Sequence, residues 1–414
     1  MWQFIQKCSV RQWFGIAIFN LLIVGCFGLL MRLKVIFPLA WANQKFLLHA
    51  HSHFAFGGWV SHALMIFIVM AICGLKANDV LPPRYRFIVV SNLLASYGML
   101  ISFTLQGYGL YAIIFSTLTI LLSFTFAWFS WRDIGRSGLP KVIQYWLKAA
   151  LFFLVFSSLG TFALVYLMVT KQLAPLNQLA SVYFYLHFQY NGWFLFSCIG
   201  LLLYWLYQST GKVICSKQLF WSFFACVVPA YFLSVLWWKA FPQWLYVVVV
   251  ITVLVQLLIW TSLMRNTLRL RSQLLEKLNP TIRIIWYGVM LAVFLKFMLQ
   301  AASVVPALSK LVYGYRPIVI AYLHLVLLVI VSLFLLGLAV QLQLLRFHNG
   351  VKIWLYIVVL GVLFNELILT VQGIGGLVRS YIPGANQLLV IASGMIVVGL
   401  VGVLSRQRDK KIPS

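Results

Sequence analysis

Twelve apolar runs, each long enough to cross a bilayer, leave this chain few architectures. About 20 apolar residues span the hydrocarbon core as a helix. In lipid only helices and closed barrels satisfy every backbone hydrogen bond internally. The runs cover about 12–32, 50–75, 87–107, 108–131, 143–169, 183–208, 218–238, 245–264, 284–302, 317–345, 352–372 and 387–404. They predict an all-α, polytopic membrane protein, a twelve-helix transmembrane bundle forming a single transmembrane domain over residues 1–414. Runs three and four are joined by a very short turn near Gly107–Gly109, while Ala174–Val182 and Val304–Tyr315 read as surface helices or loops. The first run lacks a small-residue cleavage site after it and reads as a retained helix.

Composition points the same way. The chain is 63% hydrophobic and 9% charged, where a soluble protein carries about a quarter charged residues. Its net charge of +26 would suggest nucleic acid in a soluble protein. Here the basic residues lie in loops between apolar runs, so they report orientation, and a nucleic-acid partner is not expected. Twenty-one Lys and Arg fall on the side holding both termini, against eight on the other. The expectation is a multi-pass protein of the bacterial inner (cytoplasmic) membrane with both termini cytoplasmic and membrane lipid around it. The six cysteines are scattered, with no CxxC or CxxCH. That spacing excludes a zinc ribbon and a covalently attached c-type haem.

Four of the seven histidines lie in Leu47–Met65: His49, His51, His53 and His62. Imidazole is the commonest protein ligand for haem iron and for copper, and a polar group in a membrane span must be paired, ligated or wet. Even-numbered runs enter from the outer face, so His49, His51 and His53 in run 2, His187 in run 6 and His324 in run 10 fall in the outer third of the membrane. An isolated histidine in a bundle is more often a hydrogen-bonded core residue than a ligand. Imidazoles at one level on three helices shift that balance towards ligation. His49 and His53 share a face at i, i+4. His51 points away from them, towards the side of Gly58 and His62, and the sequence does not choose between these directions. His348, in the short loop RFHNG, reads as an ordinary loop residue.

Two other ionisable side chains lie deep in the runs. Glu366 and Lys296 sit at similar depth and are expected to form an ion pair, structural or proton-handling, because an unpaired charge there is costly. Arg379, on an outer loop, is suited to an anion such as a haem propionate or is a plain surface residue. Tyr190, Tyr322 and Trp59 stand beside histidines in sequence.

Twelve runs with outer-level histidines in runs 2, 6 and 10 resemble subunit I of the haem-copper oxidase superfamily, nearest to its nitric oxide reductase branch. The HxHxxxxGW pattern at His51, His53, Gly58 and Trp59 is similar to that family's run 2 ligand region. His187 to Gly192 resembles the run 6 histidine segment, with Asn191 in place of a glutamate, and Tyr322–Leu–His324 resembles the HxH of run 10. Gln372–Gly373 with Arg379 looks like the segment that meets haem propionates. The resemblance implies one or two haem b groups, with His324 and one of His49, His51 and His53 as axial ligands. It also implies a second metal, copper or non-haem iron, at His187, with His62 or a spare run 2 histidine as substitute metal ligand for the missing high-spin haem histidine, and a small cytochrome or accessory membrane subunits as partners. The chain departs from the family in run 7, which has no histidine where the family places its metal-binding pair. Electron transfer through a bis-histidine haem is therefore the leading expectation, ahead of oxygen or nitric oxide reduction. A haem- or copper-handling sensor or delivery protein of the nitric-oxide-response type, and a membrane transporter, are the rivals.

Overall fold

Capping chemistry starts and stops the helices. The computed structural model describes residues 6–172, 174–238, 241–309, 316–378, 380 and 382–407. Ser9 opens α1 (Val10–Ile36) with a capping box: its hydroxyl accepts from the Gln12 N–H, and its own N–H donates to Gln12 Oε1. Asn43 opens α2 (Gln44–Cys73), its Oδ1 accepting from Lys45 N and Phe46 N, and Gly74 closes it at φ 63°. Prolines at the first helical turn begin α3 (Pro83–Gln106) and α6 (residues 175–210), where a missing N–H costs nothing. Between them lie α4 (Leu110–Arg136) and α5 (Lys141–Val169). The chain continues through α7 (Lys217–Val235), α8 (Gln243–Arg269), the short α9 (Arg271–Lys277) and α10 (Pro280–Ala302). It ends with α11 (Pro317–Gln341), α12 (Asn349–Leu377) and α13 (Ala385–Ser405). The described residues contain no β-strand.

Eleven of these helices, all except α6 and α9, are long and apolar enough to cross a membrane, which makes this a multi-pass helical membrane protein in contact with lipid. The helical run α6 has the length, but Gln178, Ser181, His187, Gln189 and Asn191 dilute its apolar character. Residues 175–182, expected as a separate surface segment, are instead the first turns of α6. Likewise α2 begins at Gln44 rather than near residue 50, because the Asn43 side chain caps it six residues earlier. The expected tight turn at Gly107–Gly109 does separate α3 from α4.

The chain divides into two compact units, Met1–Leu122 with Leu335–Ser414, and Ser123–Phe334. In the first, α2 is flanked by α1 and α3, and α13 packs on both α1 and α12. In its most apolar stretch 89% of α2 is buried, against 50% or less for every other membrane-length helix. A helix with so little lipid-facing surface tolerates polar side chains that lipid would reject. In the second unit α5 packs along α6, α7 along α8, and α10 against both α8 and α11.

Candidate cofactor site

Each of the three helices whose histidines the sequence placed at one level changes from α to π winding just after the histidine. His53 precedes the π-segment Ala55–Ser61 by two residues, His187 directly precedes Phe188–Phe194, and His324 directly precedes Leu325–Ser332. A π turn inserts a residue into the ladder and is found most often at functional sites. It also displaces carbonyls that must find other partners when buried. In α2, Asn20 Nδ2 donates to the Gly58 carbonyl (2.6 Å) and Asn92 Nδ2 to the Gly57 carbonyl (3.2 Å). The Tyr97 hydroxyl in turn donates to Asn20 Oδ1 (2.8 Å), fixing which way the amide faces. In α11 the Ser332 hydroxyl donates to the Leu327 carbonyl five residues back (2.7 Å). A Cβ at Gly57 would lie 3.1 Å from Ser96 Oγ, so glycine is what lets α3 bring Asn92 close. Sequence reasoning missed these segments. Gly57–Gly58 and Asn191–Gly192 were the only local signals.

In the first unit α2 presents imidazoles in two directions. His49 and His53 face α3 and the turn after it: His53 stacks on Phe103 (centroids 4.4 Å, 14°), and its Nε2 is hydrogen-bonded to the Tyr108 hydroxyl at 3.0 Å. His49 meets Tyr108 edge-on at 4.6 Å, and its buried Nε2 has no hydrogen-bond partner. His51 faces α1, with Nδ1 3.0 Å from the Val24 carbonyl and its ring seated over Gly28. His62, deeper in α2, is 0% exposed and stands edge-on to Trp13 of α1 at 6.4 Å. Neither of its ring nitrogens has a hydrogen-bond partner, nor does the Trp13 indole N–H.

In the second unit His187 is locked. Helix α7 tightens to 3-10 winding after Pro229, so the Tyr231 N–H bonds the Val228 carbonyl and leaves that of Val227 available. His187 Nε2 donates to that Val227 carbonyl (2.9 Å), while Nδ1 accepts from Asn191 Nδ2 (3.1 Å). Both ring nitrogens are thus engaged by protein groups. His187→Leu, which strands the carbonyl and the amide, is expected to destabilise the protein by about 2–4 kcal/mol. Thermal unfolding in detergent checks this, and an unchanged midpoint would refute it. His324 lies in α11 with Nδ1 2.8 Å from the Ile320 carbonyl. Two residues before it, Tyr322 meets Tyr190 of α6 edge-on at 6.1 Å, and Tyr190 stands 6.2 Å from the His187 ring. The second unit therefore gathers His187, Tyr190 and Tyr322.

Hydrogen bonding separates the histidines chemically. A carbonyl accepts and never donates, so the Nδ1 of His51 and of His324 carries the proton and Nε2 is the basic nitrogen. That tautomer, held by a backbone carbonyl, is how proteins prepare an imidazole to ligate through Nε2. His187 has the opposite tautomer with its Nδ1 lone pair already used, so it does not fit a copper or non-haem iron ligand. Among the described residues no three His, Cys, Asp or Glu side chains are grouped to hold a metal ion.

The deep charged residues find partners close by. Lys296, 1% exposed, donates to Gln300 Oε1 (2.8 Å) one turn along α10, and its ammonium lies 4.1 Å from the centre of the Phe297 ring. Glu366 accepts from Asn365 Nδ2 (3.2 Å) and is in electrostatic contact with Arg32 of α1, within the first unit. Arg379 lies outside the described residues. No known family profile and no curated protein matches this chain.

Proposed function

We propose that this chain is a twelve-span, haem b-binding protein of the inner membrane that carries electrons. Both termini would be cytoplasmic, and His51 in the first unit and His324 in the second would each be a haem-ligating imidazole. The observation that supports it is the shared tautomer: of the histidines in the helices, these two have Nδ1 on a backbone carbonyl of a helix, at 3.0 and 2.8 Å. The reading selects His51 over His49 and His53, both turned towards Tyr108. Arg379 would pair with a propionate. Haem supplies reversible one-electron chemistry at iron, while the chain supplies ligation, burial and orientation. Electron transfer is favoured over terminal reduction because His187 is committed to Val227 and Asn191 and α7 contains no histidine. A small cytochrome or an accessory membrane subunit would exchange the electrons.

The test is the visible spectrum of the purified chain with pyridine haemochrome quantification. A Soret band and a sharp alpha band on reduction, at one or two haems per chain, are expected. A colourless protein that drives solute flux in vesicles would replace this reading with the transporter. Stoichiometric copper without haem would replace it with metal sensing or delivery.

A further inference from the structure

In the second unit an open groove of about 520 Å³ lies between α8 and α10. Its walls are apolar, Met264 and Leu268 on one side and Leu291 and Phe294 on the other, and Arg271, the first residue of α9, lines it too. The groove opens on the outside of the helices: Leu291 is 65% exposed and Tyr287, also lining it, 40%. In a membrane protein, exposed apolar surface on membrane-length helices faces acyl chains rather than water. Arg271 belongs to a basic stretch with Arg265, Arg269, Lys277 and Arg283 against the single acid Glu276. Lys277 donates to the Ser209 carbonyl at the end of α6, tying α9 down. A slot that is apolar along its length and cationic at one end matches a ligand with a hydrocarbon tail and an anionic head. A guanidinium binds phosphate oxygens in a two-point fork that an ammonium does not offer, and basic pockets between membrane helices hold anionic headgroups.

We propose that this groove is a specific site for an anionic phospholipid, with one acyl chain between α8 and α10 and the phosphate on Arg271. The site stands independently of the haem reading. The test uses the full chain, purified in mild detergent, exhaustively exchanged, and then offered dioleoylphosphatidylglycerol or dioleoylphosphatidylcholine before retained lipid is counted by mass. The phosphatidylglycerol is expected to be retained selectively, and Arg271→Gln to lower its retention about five-fold. Arg271→Lys is expected to lower it less. Met264→Trp, which fills the slot and keeps the charge, is expected to lower retention as much as Arg271→Gln, and covers the case in which Arg271→Gln fails to fold. Equal retention of the two lipids, or undiminished phosphatidylglycerol in a folded Arg271→Gln or Met264→Trp protein, would overturn the proposal. So would a dimer retaining neither lipid, which would assign the groove to a second copy of the chain.

Discussion

Alanine in place of His51 or His324 is expected to strip haem from the purified protein, lowering retention at least about ten-fold. Each imidazole has its Nδ1 proton on a backbone carbonyl, which leaves Nε2 basic and sets the ring plane. If haem binds as proposed, losing either imidazole would remove an axial ligand. His53→Ala is the informative control on the same helix. Its imidazole is engaged by Tyr108 and stacked on Phe103, so this variant is expected to keep its spectrum. The measurement is the reduced-minus-oxidised alpha band per chain, alongside the melting midpoint of each variant. A His51→Ala protein that folds with full haem content, or a His53→Ala protein that loses it, would refute the assignment within α2.

Asn20→Leu is expected to cost the first unit about 2–4 kcal/mol. The side chain is 0% exposed, donating to the buried Gly58 carbonyl and accepting from the half-buried Tyr97 hydroxyl. Leucine of similar volume leaves both without a partner inside the bundle, where water does not replace them. Because the Gly58 carbonyl is displaced by the π-segment, the loss is also expected to disturb the winding below His53 and shift the haem band. Tyr97→Phe removes only the second bond and is expected to cost about 1 kcal/mol. Thermal unfolding of Asn20→Leu at the unmodified midpoint would show that the π-segment holds without its amide.

Helical class, membrane residence and the tight α3–α4 turn were legible in the sequence, because bilayer thickness and backbone hydrogen bonding admit so few solutions for long apolar runs. So was the division of α2 into two histidine faces, since helical period places residues four apart together and residues two apart on opposite sides. Three things were settled only by packing. The π-segments depend on side chains distant in sequence, Asn20 and Asn92, meeting displaced carbonyls. The tautomers of His51, His187 and His324 depend on which carbonyl each ring nitrogen faces. For His187 that carbonyl is on α7, forty residues on, available only because α7 tightens after Pro229. And the local partners of Lys296 and Glu366, namely Gln300 on one helix and Arg32 with Asn365 in the first unit, follow from how the helices are rotated about their axes. Rotation of one apolar helix against another is set by shape and by a few hydrogen bonds, and neither is written in the hydropathy of a single chain.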